Sequence, residues 1–97
     1  MMTVKKLPRE ELLLPGHAAC PGCGAMIALR IMLKTLGKRT ILVIPACCTS
    51  VIQALMPKTS IAVPVLNIAF AASGAAASGV VEALEKLGKK DINVVVW

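Results

Sequence analysis

Two long stretches of this chain, residues 40–57 and 59–81, carry no charged side chain, yet prolines interrupt both. Pro45 and Pro57 cut the first, Pro64 divides the second, and Gln53 and Asn67 fall inside them. A lipid-spanning helix needs about 20 consecutive apolar residues, so these breaks disfavour membrane insertion, despite small residues at Ser73, Gly74, Ser78 and Gly79 that would suit helix contacts in lipid. What remains is a set of short apolar runs bounded by turn signals. Residues 40–44, 61–66 and 92–97 read as buried strands. Helical patterns separate them: residues 24–36 with Gly37 as a stop, residues 49–56 capped by Thr49 and ended by Pro57, and residues 70–87 closed by Gly88. Strands alternating with helices imply parallel pairing through right-handed crossovers. The expected fold class is therefore α/β, a parallel sheet with flanking helices. Pro64 cannot donate to a ladder, which favours an edge position or a bulge for the second strand. Gly74 and Gly79 each cost about 1 kcal/mol against Ala inside a helix, which suggests a close backbone approach to the sheet or to a cofactor.

The apolar content, 57% of 97 residues, is mostly Ala, Val, Ile and Leu, with one Phe, one Trp and no Tyr. That suits helices packed on a sheet covered on both faces. It is also more apolar surface than so short a chain buries readily, so part of it is expected to be covered from outside. Residues 1–15 read as a lead-in segment. Residues 16–97 read as the first part of a domain that is incomplete at its C-terminus, because ligands of open α/β sheets sit beyond strand carboxyl ends and the loop after residues 92–97 is missing. The net charge is +6, from eleven Lys and Arg against five Asp and Glu. The basic residues flank apolar elements, at Lys5-Lys6, Lys38-Arg39 and Lys86-Lys89-Lys90, and read as solvated loop ends or as a surface attracting an acidic electron-transfer partner. So few aromatics, and no recognised motif, disfavour nucleic-acid binding. Residues 1–11 are charged and lack an apolar core, unlike a secretory signal. Four cysteines without such a signal point to a reducing, cytoplasmic setting and to metal or redox work.

The chemistry centres on Gly16-His17-Ala18-Ala19-Cys20-Pro21-Gly22-Cys23-Gly24. Cys20 and Cys23 flank a Pro-Gly turn that folds both thiols to one side, just before a helix start. A third thiol, Cys48, follows the first apolar strand. Three readings stay open on spacing alone: an iron–sulfur cluster, a zinc site and a thioredoxin-like dithiol. Adjacent side chains leaving a strand diverge, so Cys48, nearer the turn, is the better ligand and Cys47 the better buried hydrophobe. His17 reads as a turn histidine bonded to backbone, with a ligand role as the alternative. Asn67 either touches a ligand or caps the next segment. Arg30 reads as a polar-face residue without a partner.

These segments recur in order in one family. Gly-His-x-x-Cys-Pro-Gly-Cys-Gly, Ala46-Cys47-Cys48-Thr49-Ser50-Val51, Pro64-Val65-Leu66-Asn67-Ile68-Ala69-Phe70 and Ser78-Gly79-Val80 resemble the thiamine-diphosphate-binding β subunit of 2-oxoacid:ferredoxin oxidoreductases, of the pyruvate synthase and 2-oxoisovalerate type. The resemblance implies a proximal [4Fe-4S] cluster for which Cys20, Cys23 and Cys48 are ligands, with Cys47 standing where the family commonly has Gly. It places Ala25 and Cys48 against thiamine diphosphate. The fourth cluster ligand and the Gly-Asp-Gly motif that anchors magnesium and diphosphate lie beyond Trp97 in the family pattern. No catalytic side chain is assigned within these residues, because the glutamate that activates the aminopyrimidine ring belongs to another subunit or domain.

The implied reaction is oxidative decarboxylation of a 2-oxo acid to an acyl-coenzyme A, with electrons passed through the cluster to ferredoxin. The implied partners are the other subunits of the complex, ferredoxin, the 2-oxo acid and coenzyme A, with neither nucleic acid nor membrane. The 97 residues alone are expected to be inactive. The alternative from a different class is a non-catalytic zinc-binding interaction module, for which the cysteines alone would suffice.

Overall fold

The computed structural model describes residues 4–54 and 57–97. Three strands form one parallel sheet: β1 (Thr40–Pro45), β2 (Val65–Ile68) and β3 (Asn93–Val96), in the order β2-β1-β3. Three α-helices accompany them, α1 (Gly24–Leu36), α2 (Cys48–Gln53) and α3 (Ser73–Lys86), with short 3-10 turns at Val4–Lys6 and Phe70–Ala72. The expected α/β class with a parallel sheet is what forms.

β1 is central because it is the strand without a polar face. Leu42, Val43 and Ile44 have no solvent exposure. Leu42 and Ile44 share one face by the two-residue period, and they join Met26, Leu29 and Leu33 of α1 in the core. α3 packs against β3 and β1. The three-residue link from α1 to β1 turns at Gly37, whose φ of 83° suits a residue without a Cβ. The Gly37 N–H donates to the Leu33 carbonyl at 2.8 Å, and the Thr40 hydroxyl donates to the Gly37 carbonyl at 2.9 Å. A helix of 13 residues and a strand of six are both roughly 20 Å long. α1 therefore runs back along the sheet, and its N-terminus lies at the carboxyl end of β1.

The lead-in is fastened to this core. Leu12 and Leu13 are buried, and the Ala62 N–H donates to the Leu12 carbonyl while the Leu14 N–H donates to that of Ser60. Glu11 accepts from Arg30 Nε at 2.8 Å and pairs with Lys34 at 2.7 Å, while Glu10 pairs with Lys38 at 2.8 Å. Arg30 is thus not unpartnered, which corrects the sequence expectation; its partner sits 19 residues away, beyond the reach of local pattern.

Other boundaries shift for local reasons. The second strand begins at Val65, not residue 61, because Ile61 is taken by an antiparallel bridge to Leu13 and Pro64 offers only its carbonyl, which accepts from Leu42 N–H. β2 is an edge strand, as Pro64 suggested. α2 starts at Cys48 with Cys47 as its N-cap, so Thr49 does not cap it but lies buried within the first turn. Its expected last residues, Leu55 and Met56, lie outside the described residues. The long helix opens with a 3-10 turn at Phe70 and becomes α-helical at Ser73. Gly74 and Gly79 mark no close approach among the described residues, since a Cβ at either would meet nothing within 4 Å. No described helix is long and apolar enough to cross a membrane.

Two outcomes test this architecture. Leu29→Ala, which removes a side chain with no exposure, should cost about 2–5 kcal/mol, read by denaturant unfolding. Hydrogen bonds from Arg30 and Lys34, reinforced by their charges, hold the Glu11 carboxyl down at about pKa 2, from 4.5. A lowered folded pKa adds stability that is complete above 4.5 and lost as pH falls towards 2. Thermal midpoints of the chain and of Glu11→Gln should therefore differ at neutral pH and converge near pH 2, by a modest amount because the pair is partly exposed.

Candidate functional site

Cys20-Pro21-Gly22-Cys23 forms a type II β-turn. Proline holds the second position, Gly22 has the positive φ of 75° that the third requires, and the Cys23 N–H donates to the Cys20 carbonyl at 3.1 Å. The turn feeds directly into α1, with Cys23 as its N-cap and its thiol half-buried against the core, while Cys20 is exposed. A hydrogen bond from Ala18 N–H to the Ile52 carbonyl, 3.3 Å, ties the preceding loop to α2.

His17 behaves as a turn histidine: its Nδ1 accepts from the Ala19 N–H at 3.3 Å. With Cys20, Cys23, Met26 and Arg30 it lines a shallow depression of about 350 Å³ beside the turn. Arg30 brings a cation to that wall, but its guanidinium is engaged by the Glu11 carboxylate, which raises the arginine's pKa further above its already high value.

The second half of the candidate centre lies where β1 ends. Cys48 is exposed at the first position of α2, and Cys47 is half-buried against the core, the divergence expected of neighbours leaving a strand. The Ser50 hydroxyl lies 2.9 Å from the Pro45 carbonyl and 3.3 Å from Asn67 Oδ1, so Asn67 couples α2 to the end of β2. Ala25 is exposed in the first turn of α1.

The topology thus brings Cys20, Cys23, Ala25 and Cys48 to one end of the sheet. It does not close them into a metal site. Among the described residues no three His, Cys, Asp or Glu side chains are grouped to hold an ion, and Cys48 is not on the wall of the depression. The donor chemistry, thiols presented from a rigid turn beside apolar side chains, suits an iron–sulfur cluster or zinc. The arrangement is an incomplete set for either. For anchoring the magnesium and diphosphate of thiamine diphosphate the residues do not fit, since the one Asp, Asp91, is held in an ion pair with Arg39 at 2.7 Å.

The clamp of Glu11 on Arg30 and Lys34 is the element beside the site that sequence reading missed. Its signal was the spacing of Arg30, Lys34 and Lys38 opposite Glu10-Glu11, which is visible only once the lead-in is known to lie along α1. Gly22→Ala tests the turn. No atom crowds a Cβ there, so the cost is backbone strain alone, about 1 kcal/mol or more, and it should appear in unfolding curves together with faster alkylation of Cys23.

Comparison with known proteins gives the chain relatives. No family model matches it. Pyruvate synthase subunit PorB of Methanothermobacter thermautotrophicus is 45% identical over 95% of this chain and 32% of its own length. Ketoisovalerate oxidoreductase subunit VorB of Pyrococcus furiosus is 45% identical over 94% of this chain and 31% of its own length. Pyruvate synthase subunit PorB of Methanocaldococcus jannaschii is 43% identical over 92% of this chain and 30% of its own length. The chain spans about a third of the length of the curated relatives it matches. Across more than nine-tenths of its residues it is thus homologous to PorB and VorB subunits, as its cysteine and glycine motifs suggested.

Proposed function

We propose that this chain is part of the β subunit of a 2-oxoacid:ferredoxin oxidoreductase acting on pyruvate or a branched-chain 2-oxo acid, in the cytoplasm. The reading rests on 45% identity to PorB and VorB subunits across more than nine-tenths of this chain, together with a rigid two-thiol turn at the sheet end where α/β proteins carry their chemistry. Residues 16–97 form the N-terminal half of a thiamine-diphosphate-binding domain, and residues 1–15 are its lead-in segment. The remainder of that domain, the other subunits, ferredoxin and coenzyme A complete the assembly.

In the assembled enzyme, thiamine diphosphate would supply an electron sink for decarboxylation and a [4Fe-4S] cluster one-electron redox chemistry. Cys20, Cys23 and Cys48 are the thiolates this chain offers to a [4Fe-4S] cluster, with a fourth ligand from outside these residues. Leu13 and Met26, buried beneath the turn, keep its inner side dry. Cys48 and the Ala25 methyl are the surfaces offered to the thiamine cofactor. No residue here takes a catalytic proton.

Anaerobic reconstitution with iron and sulfide tests the reading. The chain alone should take up a labile, substoichiometric brown chromophore, lost in Cys20→Ser, Cys23→Ser and Cys48→Ser and retained in Cys47→Ser. Calorimetric titration with thiamine diphosphate and magnesium should show no micromolar binding. A colourless protein with stoichiometric zinc would overturn the proposal in favour of a zinc-binding interaction module.

A further inference from the structure

We infer that, without metal, Cys20 and Cys23 form a reversible dithiol–disulfide couple that responds to small-molecule disulfides. The inference goes beyond the oxidoreductase reading and stands without it. Its basis is the backbone of the turn. A hydrogen-bonded β-turn holds its first and fourth Cα atoms within about 7 Å, and a disulfide spans Cα separations of about 4.4–6.8 Å. The Cys23 N–H to Cys20 carbonyl bond at 3.1 Å and the positive φ of Gly22 show that the turn is already closed in the dithiol form. Little chain entropy is left to lose when the sulfurs join, because Pro21 fixes one central residue and the hydrogen bond the other.

Exposure divides the labour. Cys20 is exposed and open to attack a solute, whereas Cys23 is half-buried behind it, packed against the core at the start of α1. In the first step the Cys20 thiolate attacks one sulfur of a small disulfide such as oxidised glutathione. That S–S bond breaks, and one thiolate departs with the electron pair and takes up a proton. In the second step Cys23 sulfur attacks Cys20 Sγ, forms the Cys20–Cys23 bond and expels the second small thiol. Two electrons and two protons pass from the pair to the small disulfide. Cys47 and Cys48 sit at the start of α2, off the depression that Cys20 and Cys23 line together, and Cys48 forms no three-residue group with the turn among the described residues. Both sulfurs are the proposed cluster ligands, so closing the bond withholds them from iron until a thiol reductant reopens it.

The experiment uses the full metal-free chain, reduced, desalted anaerobically and equilibrated with oxidised glutathione, then acid-quenched and mapped by mass spectrometry. An internal Cys20–Cys23 link is expected to exceed glutathione adducts by at least about tenfold, as intramolecular capture in a preformed turn dictates. Cys23→Ser should trap glutathione on Cys20, and Cys48→Ser should leave the link unchanged. A lasting glutathione adduct on Cys20 of the unmutated chain, or a Cys20–Cys48 link, would overturn the inference. Iron uptake by the re-reduced chain is measured separately. Failure there counts against the cluster and leaves the disulfide result standing.

Discussion

Burial of β1 on both faces is the constraint on which the other elements depend. A strand with Leu42, Val43 and Ile44 wholly withdrawn from water needs hydrogen-bonded neighbours on both edges and apolar cover above and below. β2 and β3 supply the edges, with registers pairing Leu42 to both Val65 and Val95. α1 supplies one cover through Leu29 and Leu33. The other cover is thinner: α3 has no buried residue, although it packs on β1 and β3. That imbalance agrees with a composition too apolar for so short a chain, and with relatives about three times as long.

The same constraint positions the thiols. Because α1 must lie along β1 to cover it, its N-terminus is carried to the end of the strand where α2 begins. The type II turn then presents Cys20 and Cys23 from that point, and the start of α2 leaves Cys47 half-buried and Cys48 exposed. The clamp on Glu11 works at the opposite level of strength. Its ion pairs are partly exposed and individually weak, but they join a segment whose Leu12 and Leu13 are buried, so apolar contact carries the attachment and charge sets its register along α1.

Much of this was legible in the residues. Gly24–Leu36 follows from an apolar stripe ended by a glycine, and the parallel sheet from the alternation of short apolar runs with helical ones. The different exposure of Cys47 and Cys48 agrees with the expectation, although both lie past the end of β1, as N-cap and first residue of α2. What was not legible depends on partners distant in the chain. Ile61 reads as strand, but its backbone neighbours pair with the lead-in and not the sheet, and no local pattern reports Leu13 as the competitor. Arg30 reads as solvated because its carboxylate lies 19 residues earlier. Thr49 is a good cap by type, yet Cys47 already has the extended conformation from which the helix starts. At the site, residue types identified which thiols are gathered at one end of the fold, but spacing could not tell a complete ligand set from the open one observed.

The metal-bound and disulfide states proposed for the turn exclude one another, and this would make them thermodynamically linked. A cluster binds only the reduced pair, so it stabilises the dithiol by mass action in proportion to its own affinity. By reciprocity the disulfide weakens metal binding by the same factor that metal weakens oxidation. A complete four-thiolate site would hold the balance firmly towards metal. In the proposed ligand set Cys48 stands apart from the turn, so on that reading the redox state of the turn would decide whether a cluster can begin to assemble. The proline and glycine that shape the turn would therefore serve both proposed states: one closed backbone turn presents two thiols, whether to a shared iron or to one another.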